Sequence, residues 1–210
     1  IFDQETGDDN LTPLITFLKF VNESDDATFV AEIGNYLDVD SFATYLAFQS
    51  LIDNFDDIDG PGNNSYLHFD ETTGLMTVVN WDLNLAFGVQ NVAGAGGEMP
   101  GGGQGGGRPN GAVAPGGALG GALGGAPGGA PGGAGNGGPS SGNVLAERFE
   151  QLFPDAVPAA TEALTSSLIS SGAAQDALDS WVAVLKAGAS DLVSSATIDD
   201  EAAAIRGYLG

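Results

Sequence analysis

The sequence predicts an α+β protein that is mainly helical, with one small β-hairpin, a Gly-rich spacer and a C-terminal helical segment. Three observations carry that expectation. Apolar residues recur three or four apart through much of residues 12–52 and again after Asn143, the period of a helix with one buried face. Ser65 to Trp81 instead alternates apolar and polar around Asp70-Glu71-Thr72-Thr73-Gly74, the pattern of two strands joined by a Gly-containing turn. Most of the 34 Gly lie in residues 94–142, where large apolar side chains are too few to build a core.

Taken in order, Thr12-Pro13 followed by Leu14, Ile15, Leu18 and Phe20 reads as a capped helix, because Pro suits the first helical position and Thr accepts from free amides. Ser24-Asp25-Asp26-Ala27 opens a second helical segment carrying Phe29, Val30 and Ile33, its acids placed at the positive end of the helix dipole. Asp40-Ser41 opens a stronger third helix with Phe42, Tyr45, Leu46, Gln49 and Ile52 on one side. From Asn54 to Asn64 the pattern gives way to Asp, Gly, Pro and Asn, which make turns. The hairpin follows this loop directly.

Residues 94–142 repeat Ala-Pro-Gly-Gly and Ala-Leu-Gly-Gly without a three-residue collagen register, so they read as a flexible linker. Asn143 then caps a helix with Val144, Leu145 and Phe149, and three further helical stretches are expected at Leu164–Ile169, Ala177–Val193 and Thr197–Leu209. Thr197-Ile198-Asp199-Asp200 resembles a capping box in which Asp replaces Glu. These boundaries divide the chain into residues 1–93, a linker at 94–142 and a helical segment at 143–210.

Charge and composition exclude several functions. With 28 acidic residues against 5 basic ones, the formal charge of −23 repels nucleic acid and anionic membrane surfaces. There is no Cys, and His68 is the single His, so thiolate sites and a His-rich zinc centre fall away. No apolar run reaches the roughly 18 residues of a membrane helix, so no membrane insertion is expected. An opening at Ile1-Phe2-Asp3 without an initiator Met or a signal-like region reads as a fragment, with any targeting segment upstream.

Two stretches are rich in hard oxygen ligands, Asn54-Phe55-Asp56-Asp57-Ile58-Asp59-Gly60-Pro61-Gly62-Asn63-Asn64 and Trp81-Asp82-Leu83-Asn84. If residues 81–84 are extended, Asp82 and Asn84 share a face and could meet one Mg²⁺ or Mn²⁺ ion. Phosphoryl transfer needs one carboxylate for the metal on the nucleotide phosphates, one to orient the attacking hydroxyl, and an amide on a second metal. Asp82, then Asp56 or Asp59, then Asn64 fit those needs, and Asp59 stands five residues before Asn64 as a kinase catalytic Asp stands before its Asn. An EF-hand does not fit: with Gly60 at position six, positions one and twelve are Phe55 and Tyr66. A looser structural Ca²⁺ site, and a glycosylation acceptor at Asn63-Asn64-Ser65, are the remaining readings of this loop.

Leu11-Thr12-Pro13-Leu14 with Phe17-Leu18, Tyr36-Leu37-Asp38-Val39-Asp40, Asn54-Phe55-Asp56, Asn64-Ser65-Tyr66-Leu67 and Trp81-Asp82-Leu83-Asn84-Leu85-Ala86-Phe87-Gly88 together resemble the C-lobe half of CotH proteins, the spore-coat protein H family of atypical kinases. The resemblance spans about residues 10–90, and the Gly-rich stretch with Asn143–Phe149 is similar to members carrying an insert there. It implies a kinase-like C-lobe that uses ATP and Mg²⁺ or Mn²⁺ to phosphorylate Ser or Thr of secreted or spore-coat proteins, outside the cell or on its surface. It further implies that Asp82 is the metal-binding Asp, that Asn64 is the loop Asn serving metal and nucleotide, and that Asp56 is the loop Asp, with Asp59 competing for that catalytic role. Asn84 stands where many relatives have Asp, and His68 where many have an aromatic residue. Between Lys19 and Arg108 there is no Lys or Arg, so phosphate charge must be met by metal and by the missing N-terminal part of the protein, without which the fragment is expected to be inactive. A non-catalytic coat or matrix component, or a pseudokinase, is the competing expectation.

Overall fold

The computed structural model describes residues 5–7, 9–54, 56–60, 64–87 and 143–209 of the chain. The Gly-rich stretch expected at 94–142 lies outside the described residues. The described residues are mainly helical with one antiparallel two-stranded sheet, and they fall into two units.

The first unit joins residues before and after the Gly-rich stretch. Helix α1 (Thr12–Glu23) has Pro13 in its first turn, but its N-cap position is Leu11, which offers no side-chain cap, and Thr12 lies inside the helix with its N–H donating to Asn10 Oδ1 at 3.1 Å. Helix α2 (Asp26–Glu32) is capped by Asp25, as the local acids predict, with Thr28 N donating at 2.8 Å. A 3-10 turn (Ile33–Asn35) leads to α3 (Val39–Leu51), whose cap is Asp38 and not Asp40, because Asp38 is the carboxylate that Ser41 N reaches, at 3.0 Å.

Strands β1 (Ser65–Asp70) and β2 (Leu75–Asn80) pair with Ser65 opposite Asn80 and Asp70 opposite Leu75. The turn relies on Asp70, whose Oδ1 accepts from Thr72 N, and on Gly74 at φ 76°, a conformation costly for any residue with a Cβ. The hairpin docks on the stretch before α3: Met76 N donates to Tyr36 O at 2.7 Å and Asp38 N to Met76 O at 2.9 Å. Met76 and Val78 therefore point into the core and are buried, while Thr77 and Val79 alternate outward.

Helices α4 (Val144–Leu152) and α5 (Ala156–Leu164) complete this core. Asn143 caps α4 as its sequence predicts, accepting from Leu145 N at 3.0 Å. Helix α5 escapes the sequence pattern, and its Pro158 is tolerated because it falls in the first turn, where no intrahelical donor is lost. Leu145, Ala146 and Phe149 pack with Phe17, Val21, Phe29 and Phe42, so the helical segment expected as one piece from 143 onward is divided by its packing, with Asn143–Leu164 belonging to the first core.

Arg148 fixes α4 to the α1–α2 corner. Its guanidinium lies 4.2 Å from the Phe29 ring centroid and donates to Val21 O at 2.6 Å, Ser24 Oγ at 3.2 Å and Asp26 Oδ1 at 3.0 Å. The Asp26 carboxylate is exposed, so that ion pair contributes about 0–1 kcal/mol, whereas the carbonyl and ring contacts are shielded and together contribute about 2–3 kcal/mol. Urea unfolding is expected to show Arg148→Ala destabilised by that larger amount, about 2–3 kcal/mol, and Asp26→Asn by less than about 1 kcal/mol.

The second unit contributes a π-type turn (Thr165–Ser170), helix α6 (Ala173–Gly188) and helix α7 (Ser195–Arg206). Helix α7 begins earlier than Thr197 suggests, because Ser194 Oγ accepts from Thr197 N at 3.1 Å and caps the preceding turn. Ion pairs Lys186–Asp199 and Arg206–Asp179 tie α6 to α7.

Candidate functional site

The end of α3 sets the direction of the acidic loop. Asp53 adopts a left-handed φ of 49°, Asp53 N donates to Ser50 O and Asn54 N to Gln49 O, a Schellman-type termination with Asp where Gly is usual. Asn54 is thereby turned inward and buried, its Nδ2 donating to Gln49 Oε1 at 2.7 Å while Gln49 Nε2 donates to Asn80 Oδ1 on β2. This amide relay couples α3, the loop and the hairpin. Asn54 Oδ1 has no hydrogen-bond partner, a costly arrangement for a buried polar atom.

Beyond Asn54 the loop is buried at Asp56, Asp57 and Ile58, and exposed at Asp59. Asp57 Oδ1 accepts from Asp59 N at 3.1 Å and Gly60 N at 2.8 Å, so Asp57 shapes the turn that Asp-Ile-Asp-Gly encodes. Burial first, and then the nearby Asp59 charge, raise the Asp57 carboxyl above its ordinary range against the opposing backbone hydrogen bonds. Tyr45 on α3 underpins the same turn, its hydroxyl accepting from Ile58 N at 3.2 Å.

Tyr45 is 4 % exposed, and chiefly by desolvation its hydroxyl is pushed up to about 12. An unfolded Tyr ionises near 10, so the unfolded chain loses its proton first as pH rises. The stabilisation is whole below about pH 10 and drains away by about pH 12, a loss of about 2–3 kcal/mol from this group. Chemical denaturation between those pH values should show that loss, and Tyr45→Phe should remove the slope while lowering stability at neutral pH through the lost Ile58 bond.

Three of the five sequence-predicted site residues meet. Asn64 Nδ2 donates to Asp56 Oδ2 at 3.0 Å and to the Asp82 backbone carbonyl at 3.1 Å. Asp82 has a left-handed φ of 43°, and Leu83–Leu85 forms a 3-10 turn, so residues 81–84 are not extended and the shared face expected for Asp82 and Asn84 is absent. Phe87 N closes this segment onto Ile52 O at the end of α3, and Ala86 is buried beneath it. Asn84 is exposed in the 3-10 turn, and Asp59 engages Asp57 through its backbone N–H. His68 is an exposed β1 residue opposite Thr77, in keeping with a plain strand position.

Sequence reasoning missed the amide relay and Glu150. Partial desolvation of its carboxyl, then the charges of Asp59 and Asp57, raise the Glu150 pKa, although the residue remains exposed to solvent. It feels the loop charges because α4 packs into the first core, which no local pattern announces. Among the described residues no three His, Cys, Asp or Glu side chains converge as a metal-holding group. The oxygens that Asn64 meets are the Asp56 carboxylate and the Asp82 backbone carbonyl, both hard donors of the kind Mg²⁺ and Mn²⁺ take.

Among the described residues no helix is long and apolar enough to cross a membrane. No curated protein and no solved structure gives a significant match to the chain. A family profile described as CotH kinase protein matches residues 2–117, more than half of the chain, and takes in the acidic loop, the hairpin and the Asp82 turn. On that match, this chain belongs to the CotH kinase protein family.

Proposed function

We propose that this chain carries the acceptor and metal side of a protein kinase site that transfers the terminal phosphoryl group of ATP to Ser or Thr hydroxyls of secreted or spore-coat proteins. The observation that carries this reading is the double hydrogen bond of Asn64, which draws the buried loop carboxylate of Asp56 to the Asp82 turn across one hairpin. Separated segments are thus held together at residues of the types that phosphoryl transfer uses, which supports this reading.

In this reading Asp56 is the catalytic carboxylate: it orients the acceptor hydroxyl and takes its proton, while Asn64 holds the carboxylate in place. Asp59, exposed at the tip of the loop, is the alternative to Asp56 for that role. Asp82 and the Asn64 Oδ1 would hold Mg²⁺ or Mn²⁺, with Asn84 as an outlying ligand. The metal, when bound, would neutralise charge on the nucleotide phosphates. The chain has no Lys or Arg between Lys19 and Arg108, so the remaining phosphate charge falls to basic residues from another part of the protein. The family match and the acidic surface favour work outside the cell or in a coat.

Transfer of labelled phosphate from ATP to a Ser-rich protein acceptor, measured on the intact protein with Mg²⁺ or Mn²⁺ and again after chelation, tests the proposal. Metal-dependent labelling of Ser or Thr is expected. No labelling by a folded protein in either metal would sink it and leave a structural coat or pseudokinase role.

A further inference from the structure

We infer that the outward face of α6 is a homodimer interface, across which two α6–α7 hairpins pack antiparallel into a four-helix bundle. Helix α6 is apolar on two sides. Its half-buried positions Leu178, Val182 and Lys186 recur three or four apart and mark the side turned to α7, where Lys186 meets Asp199. On another side Ala177, Trp181, Val184, Leu185 and Gly188 form a second stripe at helical spacing, with Trp181 65 %, Val184 59 % and Leu185 42 % exposed. Helices apolar on more than one side belong between neighbours, and the described second unit supplies α6 with one long neighbour.

Charge leaves this face, unlike most of the surface, open to a second copy. The chain has a formal charge of −23, so two copies repel over most of their surfaces. Between Ala173 and Gly188 the exposed positions outside the Asp179 ion pair include a single charged residue, Asp176. Aromatic enrichment with charge depletion is the composition of an interface centre.

Area and stability agree. The exposed parts of Trp181, Val184 and Leu185 amount to roughly 300 Å² of apolar surface. With the flanking Ala and Gly, that is the larger part of the apolar share, about 450–500 Å², of a standard patch of about 800 Å² per partner. The hairpin has little core of its own, since Ile198 and Ala202 are its only buried hydrophobic residues among the described ones. A Cys-free helical hairpin of this size lacks the disulfides that small units use, and association is the other common means of completing a core. An antiparallel register that sets Trp181 of one copy level with Val184 of the other also sets Ala177 level with Gly188. Small residues then flank the indole, and the helix dipoles oppose each other favourably.

Sedimentation velocity of the full chain across the micromolar range is expected to show a reversible dimer that tightens in about 1 M salt as repulsion is screened. Val184→Lys should weaken it by about 100-fold or more. That substitution also makes the chain less negative, so weaker association cannot be ascribed to added repulsion. Gly188→Gln is the second variant: a Cβ at Gly188 meets nothing within 4 Å, so bulk there leaves the monomer intact while filling the seam. A wild type that stays monomeric in both salts overturns the inference, even if a blue-shifted Trp181 shows the stripe covered within one chain. A dimer indifferent to both substitutions overturns it too, because the contact then lies elsewhere.

Discussion

Asp82→Ala is expected to bring metal-dependent phosphate transfer by the intact protein to background, and Asp56→Asn to lower it by about 10²–10⁴-fold, the usual contribution of a positioned general base. The two losses should differ in kind. Asn at position 56 retains an oxygen that can accept from Asn64 Nδ2, so the loop keeps its shape and only proton acceptance is lost. The Asp82 contact to Asn64 runs through the backbone carbonyl, so its side chain can be removed without breaking that bond, and the loss should appear in the metal concentration required as well as in the rate. Asp59→Asn is the internal control. Its side chain is exposed at the loop tip, and transfer should stay within about threefold of wild type. Single-turnover rates at saturating and limiting Mn²⁺ separate these outcomes; a large loss in Asp59→Asn with an active Asp56→Asn would exchange the two roles.

Local signals and long-range packing contributed differently to what could be read in advance. The helices at Asp26 and Asn143, and the turn at Asp70–Gly74, follow from side chains that satisfy amides within three or four residues, so a linear reading finds them. The acidic loop was legible as a ligand-rich stretch for the same reason. Its geometry was not, because Asp53 and Asp82 both take left-handed conformations that sequence would assign to Gly, and Asp82 thereby leaves the extended path on which the pairing with Asn84 rested. Asp38 captured the α3 cap from Asp40 because the hairpin, docked through Met76, fixes the chain at Tyr36–Asp38. The amide relay of Gln49, Asn54 and Asn80 spans 31 residues, and the Arg148 contacts with the α1–α2 corner up to 127, separations over which periodicity carries no information.

Phe149→Ala should be the most damaging of the core substitutions, at about 3–5 kcal/mol. Phe149 is fully buried, edge-on to Phe42 of α3 at 5.0 Å and stacked with Phe153 at 5.0 Å. Phe153 in turn approaches Phe29 of α2, itself stacked with Phe20 of α1 at 5.8 Å. Removing one ring opens a cavity where three helices from before residue 52 meet one from after residue 142, and rigid neighbours cannot all close on it. Against the marginal stability of a domain, about 5–15 kcal/mol, this is a large fraction. Hydrogen exchange distinguishes the consequence from simple loosening of α4. If Asn143–Leu164 is integral to the first core, amides of α1 and α3 should exchange faster by a factor commensurate with the global loss, and the Tyr45–Ile58 and Asn64–Asp56 contacts should weaken with them. Transfer would then fall with temperature well before α6 and α7 lose helix, because the loop is held by α3 while those two helices belong to the other unit. Unchanged exchange in α1 and α3 would instead mean that the loop stands on a core residues 12–87 maintain without α4.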